Sequence, residues 1–413
     1  MRRIVIALSL LLCTAGALTV QAQTQDSRAK TIKDFMAMGL PFYTDTQVRI
    51  LPTGIIKFDD LFPEVERAQH FIHLDYFKFQ QDSICDTFFA RLRERAKAGV
   101  EVRVVYDSFG NEHSDLPLRK SYIDSLRADG VQMAEFDPMR FPYINHALHR
   151  NHHKIAIIDG GMVYTGGMNV ADYYLHGKPV VGEWRDMHVR LDGHVTRTYE
   201  KTFEAMWLSA TGEQLDGHYV EMCGTGRHGE SLVAVADRVP CKSASVMRDT
   251  YITCIDNAQH HIQIVNPYIT LTQSVRSALK RALKRGIRVE IMLSTKNDGP
   301  LIPEVAGLEM RKLQKRGAEI YYYEGGFHHT KVMMVDDSFC TVGTTNLDGR
   351  SLRFDYEINA FIFDERPTHE LQEIFERDKA TRCTFLTNEV WRERFTCKRK
   401  AKGYLLEIIR GLL

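Results

Sequence analysis

The pattern H-x-K-x-x-x-x-D occurs twice, as His152-His153-Lys154-Ile155-Ala156-Ile157-Ile158-Asp159 and as His329-Thr330-Lys331-Val332-Met333-Met334-Val335-Asp336. Each copy is followed at the same offset by G-x-x-N, from Gly166 to Asn169 and from Gly343 to Asn346. One copy means little, because His, Lys and Asp are common on surfaces. Two copies with the same internal spacing predict one site built from two similar halves. Across a pseudo-two-fold axis, His152 and His329 would flank a phosphodiester from opposite sides. One imidazole then attacks phosphorus while the other, protonated, donates to the leaving alkoxide. Lys154 and Lys331 supply point charges and Asn169 and Asn346 supply amide donors for the non-bridging oxygens, so the chemistry needs no metal or other cofactor. A nucleophilic imidazole also needs a partner that fixes its tautomer. Asp186 in Trp184-Arg185-Asp186 and Glu357 in Asp355-Tyr356-Glu357, downstream of the two motifs, are the candidates. The working assignment is His152 as nucleophile and His329 as general acid.

The elements that must position these residues are themselves duplicated. Ala68-Gln69-His70-Phe71-Ile72 matches Ala258-Gln259-His260-His261-Ile262, and Gly99-Val100-Glu101-Val102 matches Gly286-Ile287-Arg288-Val289. The run from Leu126 to Val131 likewise matches that from Leu313 to Ala318. The period is far too long for a solenoid and marks two homologous domains. In each half a β-rich run precedes a charged helix (about 82–97 and 272–285), then a Gly, an apolar strand, a second helix and another strand. Strands alternating with amphipathic helices predict the α/β class: two α/β sandwich domains with mixed sheets and one active site at their pseudo-two-fold interface. Lys154 to Ile158 reads as a strand, Asp159-Gly160-Gly161 as a turn and Met162 to Thr165 as the return strand, with Asp336-Asp337 at the second turn. Along a strand, a His and the Lys two residues later share a face.

The expected organisation is a signal peptide or N-terminal anchor over 1–22, a linker over 23–45, a first domain over 46–214 and an inter-domain connection over 215–245. A second domain over 246–397 and a basic amphipathic tail over 398–413 follow. The leader reading rests on the basic start, the apolar run Ile4 to Leu12 and the Val20-Gln21-Ala22 cleavage-like end. It implies export to the periplasm or the outer face of a bacterial membrane. The tail places Leu405, Ile408, Ile409 and Leu412 at helical spacing after a basic stretch; it either lies on an anionic bilayer or packs on the second domain. Met139 to Ile144, just before the first motif, is either an apolar lip or a packed loop.

With 413 residues, 44% hydrophobic and 26% charged, the chain can bury two cores, and its net charge of +1 offers no global attraction to nucleic acid. Lys280, Arg281, Lys284 and Arg285 make a cationic helix face, read as solvated. The eight cysteines show no metal-binding spacing and read as mostly buried thiols with at most one or two bridges, Cys223 with Cys241 being the pair that closes a short loop. His146, His149, His152 and His153 cluster in sequence, but no element geometry converges all four on an ion.

The doubled motif resembles the phospholipase D superfamily. Asn151-His152-His153-Lys154, Gly166-Gly167-Met168-Asn169, Trp184-Arg185-Asp186, Pro267-Tyr268 and Asn346-Leu347-Asp348-Gly349-Arg350-Ser351 resemble its bacterial cardiolipin synthase branch. The resemblance covers roughly residues 45–413. It implies a metal-independent site, a phosphohistidine on one of His152 and His329, and structural roles for Asp159 and Asp336. It also implies a membrane-associated phosphatidyltransferase joining two phosphatidylglycerols into cardiolipin and glycerol. The alternative is an exported phospholipase D-type phosphodiesterase hydrolysing phospholipids or nucleic acid, with water as acceptor. No nucleic-acid partner is expected. Three features depart from the branch: one short apolar N-terminal segment instead of two spans, Gly167 and Thr344 where Ser is frequent, and the insertion His176-Gly177-Lys178-Pro179.

Overall fold

In each half, short apolar runs punctuated by Gly and Asp turns fold as strands of a single mixed sheet, and amphipathic helices cover its two faces. A computed structural model describes residues 27–138, 148–299 and 301–408. The leader, the Met139–Ile144 stretch and the tail from 409 onward lie outside them. The first half contributes β1 (Phe42–Leu51), β2 (Phe71–Tyr76), β3 (Glu101–Asp107), β4 (Val131–Phe136), β5 (Lys154–Ile158), β6 (Met162–Gly166), β7 (Glu183–Arg185) and β8 (His188–Asp192). The second contributes β9 (Ser231–Arg238), β10 (His261–Val265), β11 (Arg288–Ser294), β12 (Glu319–Tyr323), β13 (Gly326–His328), β14 (Val332–Val335), β15 (Phe339–Gly343), β16 (Glu357–Phe363) and β17 (Cys383–Phe385).

Fifteen of these strands form one sheet. Outward from its centre the order is β1-β8-β6-β5-β2-β3-β4 on one side and β9-β16-β15-β14-β10-β11-β12-β17 on the other. β1 and β9 pair antiparallel at Phe42–Ala234 and Tyr43–Val233, as a two-fold axis between them requires. Within each half β2-β3-β4 and β10-β11-β12 run parallel, while the motif hairpins β5-β6 and β14-β15 are antiparallel. One apolar cluster crosses the axis, joining Val189, Leu191 and Phe203 to Val235, Val342 and Ile358. The halves therefore share a core.

Two boundaries differ from those expected. The 23–45 segment is not a linker: residues 27–37 are helical, and Phe35 lies in the second half's core, edge-on to Phe361 at 5.0 Å. The 215–245 segment is not mere connection either, since its β9 is a central strand between β1 and β16. The Gly- and polar-rich stretch before Ser231 dilutes the apolar run that follows it, and β1 carries the polar run Thr44-Asp45-Thr46-Gln47 near its start, which hides it as a strand.

The helix Gln273–Lys284 shows how local sequence sets the layers. Val275, Ala278, Leu279 and Ala282 recur at i, i+3, i+4 and i+7 and are buried. Arg276 is tolerated on that stripe because its guanidinium meets Glu309 and the Leu271 carbonyl. Burying Val275 and Leu279 contributes about 1.5–3 kcal/mol each, and Leu279→Asp is the single change that would strip the stripe. Ser83–Lys97 starts at Asp82, whose carboxylate accepts from the Cys85 amide at 3.3 Å.

Both motif hairpins turn through left-handed residues, Asp159 and Gly160 in one and Asp336 and Asp337 in the other. The Asp159 carboxylate accepts from the amides of Gln69, His70 and Phe71, and Asp336 from those of Gln259, His260 and His261. The repeated Ala-Gln-His is thus where each motif aspartate anchors the entry to β2 or β10. At the other end of the chain, Cys397–Leu406 packs on Ile302–Gln314 through Gly403, while Tyr404, Leu405 and Ile408 stay exposed. No described cysteine is bridged, Cys223 and Cys241 included. No helix among the described residues is long and apolar enough to cross a membrane.

Candidate active site

The motif segments meet across the axis, and each is held by the opposite half. Asn151 forms a parallel bridge to Tyr356, and the His152 amide donates to the Tyr356 carbonyl at 3.1 Å. On the other side β13 pairs in parallel with β7, and the His329 amide donates to the Arg185 carbonyl at 2.6 Å. Each histidine therefore lies beside the carboxylate that follows in the partner strand. His152 Nδ1 is 3.0 Å from Glu357 Oε1, and His329 Nδ1 is 2.7 Å from Asp186 Oδ2. Each of the two carboxylates lies against a motif histidine, but they cross over: neither contacts the histidine of its own half.

His152 lies just ahead of β5 instead of on it, and Lys154 curls back so that Nζ donates to the His152 carbonyl at 2.8 Å. Lys331 does the same to the His329 carbonyl, and its ammonium lies 2.9 and 3.1 Å from the two ring nitrogens. Both histidines and both asparagines open into one cavity of about 490 Å³, which is also lined by Tyr268, Asp298, Asp348 and Asp355. The side-chain oxygens of Asn169 and Asn346 are buried with no protein partner, leaving polar capacity at the cavity. Asp159 and Asp336 sit at the far turns, bonded to backbone as described, and do not line the cavity.

Burial dominates the electrostatics. It drives His152 down to about 4, with Lys154 and Lys331 adding to the shift against the pull of Glu357, and it drives His329 well below its ordinary range. Burial and the neighbouring lysines thus favour the neutral form of both imidazoles. Burial likewise lowers Lys154 to about 7 and Lys331 to about 8. It raises Asp186 to about 6 against the opposing pull of Lys331 and the Met187 amide. Burial also opposes ionisation of Glu357, but His152 and Lys154 outweigh it and leave that carboxyl below its ordinary value. An anionic ligand between the lysines would raise the two histidines and the two lysines again, because it supplies the missing countercharge.

Several contributors carry no motif signal. Lys57 is fully buried, donates to the carbonyls of Met168 and Asn169 at 3.1 and 3.2 Å, and is lowered to about 7 by its burial. A lysine on an amphipathic helix reads as solvated, so nothing local reveals it. Thr344 donates to Glu357 Oε2, whereas Gly167 is forced by close approach: a Cβ there would lie 2.1 Å from Asp186 Oδ1. Trp184, Phe327 and Tyr268 wall His329 with ring centres at 5.5, 5.4 and 5.7 Å, and Lys178 of the insertion reaches the cavity beside Tyr173.

A pseudo-symmetric pair of imidazole–carboxylate couples, each with a lysine beside it and both imidazoles opening into one cavity, defines an enzyme of the phospholipase D class. Residues 61–207 and 251–379 match the family described as cardiolipin synthase, PLD-like domain, and the chain belongs to that family. A cardiolipin synthase of Geobacillus kaustophilus is 34% identical over 82% of this chain and 67% of its own length. A probable cardiolipin synthase of Bacillus subtilis is 33% identical over 81% of this chain and 66% of its own length. The matched region thus spans about two thirds of these relatives. Among solved structures, the phosphatidylserine synthase of Haemophilus influenzae superposes with a TM-score of 0.70 over 96% of this chain and all of its own, at 14% identity, and so shares the fold.

Proposed function

We propose that the protein joins two phosphatidylglycerols into cardiolipin and glycerol through a phosphohistidine on His152. The crossed couples carry the reading. With Nδ1 held by an ionised Glu357, His152 keeps Nε2 free to form the P–N bond as the P–O bond to the headgroup glycerol breaks. His329, charged by the bound anion and held by Asp186, gives its proton to the departing alkoxide. The hydroxyl of a second phosphatidylglycerol returns a proton to His329 and attacks phosphorus, and the P–N bond breaks. Lys154, Lys331, Asn169 and Asn346 stabilise the oxygens of the phosphorane in both steps.

A lipid substrate agrees with the cavity mouth. Val180, 85% exposed, lies two residues beyond Lys178, and exposed Leu301 lies beside Gly299 and Ile302 of the lining. Apolar tips beside the lysines Lys78 and Lys178 suit an anionic bilayer surface. The leader-like start supports a contact at the outer face of the membrane. Incubation with phosphatidylglycerol vesicles in EDTA, followed by lipid analysis, tests the reading. Cardiolipin and glycerol in equal amounts are expected. Phosphatidic acid alone would make the protein a hydrolase, and cleaved DNA with untouched lipid would make it a nuclease.

A further inference from the structure

We propose that Asp45, His194 and His228 form a binding site for a divalent transition metal, zinc being the best match, which ties the segment joining the two halves to the first half's sheet. His194 Nδ1 and His228 Nδ1 lie 2.6 and 2.7 Å from the same oxygen, Asp45 Oδ2. The three donor atoms all fall within 4.8 Å of one another. The residues come from three separate segments: Asp45 from β1, His194 from the turn after β8, and His228 from the stretch leading into β9. Two imidazoles and one carboxylate are the donor set that zinc accepts when one position stays open to solvent. With the rings 43% and 48% exposed, a hydrated ion can enter and keep a water in that position.

The backbone is shaped for this convergence. Gly193, at φ +109°, precedes His194, and a Cβ on it would lie 2.7 Å from the Asp45 carbonyl oxygen. Gly224 lies against the ring of His194, where a Cβ would come within 2.4 Å of Cδ2. Gly229 follows His228; its amide donates to the Asp45 carbonyl at 2.9 Å, and a Cβ there would overlap β1. Three glycines thus let three segments approach more closely than any other residue permits. In a tetrahedral zinc site neighbouring donors sit roughly 3.3 Å apart, so the two His–Asp contacts would open by roughly 0.6 Å on loading. None of the three residues lines the active-site cavity, which makes the metal an architectural clamp and not a participant in phosphoryl transfer.

The test uses the full chain in a background carrying Cys241→Ser and Cys397→Ser, because those exposed thiols could bind zinc themselves. After EDTA treatment and dialysis against zinc, the background protein should retain one zinc per chain. Its melting temperature should rise by about 3–5 °C at a hundredfold excess of zinc over Kd. His194→Ala/His228→Ala should lose both the ion and the shift. So should Asp45→Asn, which still accepts hydrogen bonds but has no charge, and so shows whether the carboxylate acts as more than a hydrogen-bond acceptor. Cobalt(II) should give visible ligand-field bands in the background protein and none in the variants. No retained metal in the background protein, or equal retention and equal shift in the variants, would overturn the site.

Discussion

The two halves share a motif, yet they differ in what stands behind it. In the second half Glu357 is bonded by Thr344 and held ionised next to His152, whose ring faces one aromatic, Phe77, at 5.3 Å. In the first half Gly167 offers no hydroxyl, Asp186 is raised to about 6, and the histidine it serves, His329, is enclosed by three aromatic rings. Behind Asn169 lies buried Lys57, with His188 also driven well below its ordinary range. In the second half Asn359, opposite Gly343, is satisfied by Tyr251 and Thr341. Duplication has kept the motif histidines, lysines and asparagines and let the layer beneath them diverge. A couple with an ionised carboxylate suits a histidine that must carry positive charge as a phosphohistidine. A couple whose carboxylate is easily protonated suits one that must gain and release a proton.

The largest effect should come from the histidines. His152→Ala and His329→Ala should each lower kcat by on the order of 10⁴-fold or more, so loss of activity alone cannot tell them apart. A phosphatidyl ester with a nitrophenol leaving group removes the need for a general acid. With it, His329→Ala should accumulate labelled phosphoprotein and His152→Ala should not. The opposite pattern would reverse the assignment of the halves.

The lysines should separate by pH. Each must be charged to stabilise the phosphorane, and each loses its proton as pH rises through a lowered pKa. Beyond the fall that loss of the His329 proton already sets at lower pH, the free enzyme's kcat/KM should therefore fall in two further steps, near pH 7 for Lys154 and near 8 for Lys331. His152 must be neutral to attack, so the acid limb belongs near pH 4. Lys154→Met and Lys331→Met should each cost about 10²–10³ in rate, the first removing the lower step and the second the upper. An unchanged profile in Lys154→Met would mean that some other group titrates near pH 7.

The layer beneath the motif gives the next comparison. Gly167→Ala must push Asp186 away from His329, and a displacement of that size costs about 10²-fold. Thr344→Ala removes one donor from Glu357, costs about 1–2 kcal/mol and so about 10-fold in rate, and should raise the Glu357 pKa. Steady-state rates across pH would check both. If Thr344→Ala proved the more damaging, the order drawn here between the two couples would fail.

How much of this was legible follows from sequence distance. The hairpins were readable because turn, strand and return strand lie within a dozen residues, and the Ala-Gln-His repeat marked the amides that Asp159 and Asp336 bind. Asp186 and Glu357 were recognisable as carboxylates near a motif. Their crossing was not, because it joins residues 143 and 205 apart through bridges that exist only when the halves meet. Lys57 looked like any helix-surface lysine. Gly167 and Thr344 looked like mild exchanges until the carboxylates lay against them. β1 and β9 were hidden because the central strands of a two-fold assembly begin each repeat, next to segments whose composition reads as linker.

The smallest effect on activity should come from the residues that complete the motif. Asp159 and Asp336 each accept three backbone amides, but Asp336 is fully buried and Asp159 is only partly buried, so water can replace more of what Asp159 provides. Asp159→Ala should destabilise the fold by about 1 kcal/mol and Asp336→Ala by about 2–3 kcal/mol, read from urea unfolding at pH 7. Burial keeps the amides behind Asp336 from finding substitutes, which sets that order. The folded fraction of either variant should turn over within a few-fold of the parent rate, since neither side chain reaches the cavity. A rate loss in folded Asp336→Ala matching that of Lys331→Met would show that the turn sets the position of the lysine five residues upstream, at the other end of β14. The repeated spacing between lysine and aspartate would then belong to the chemistry as well as to the hairpin.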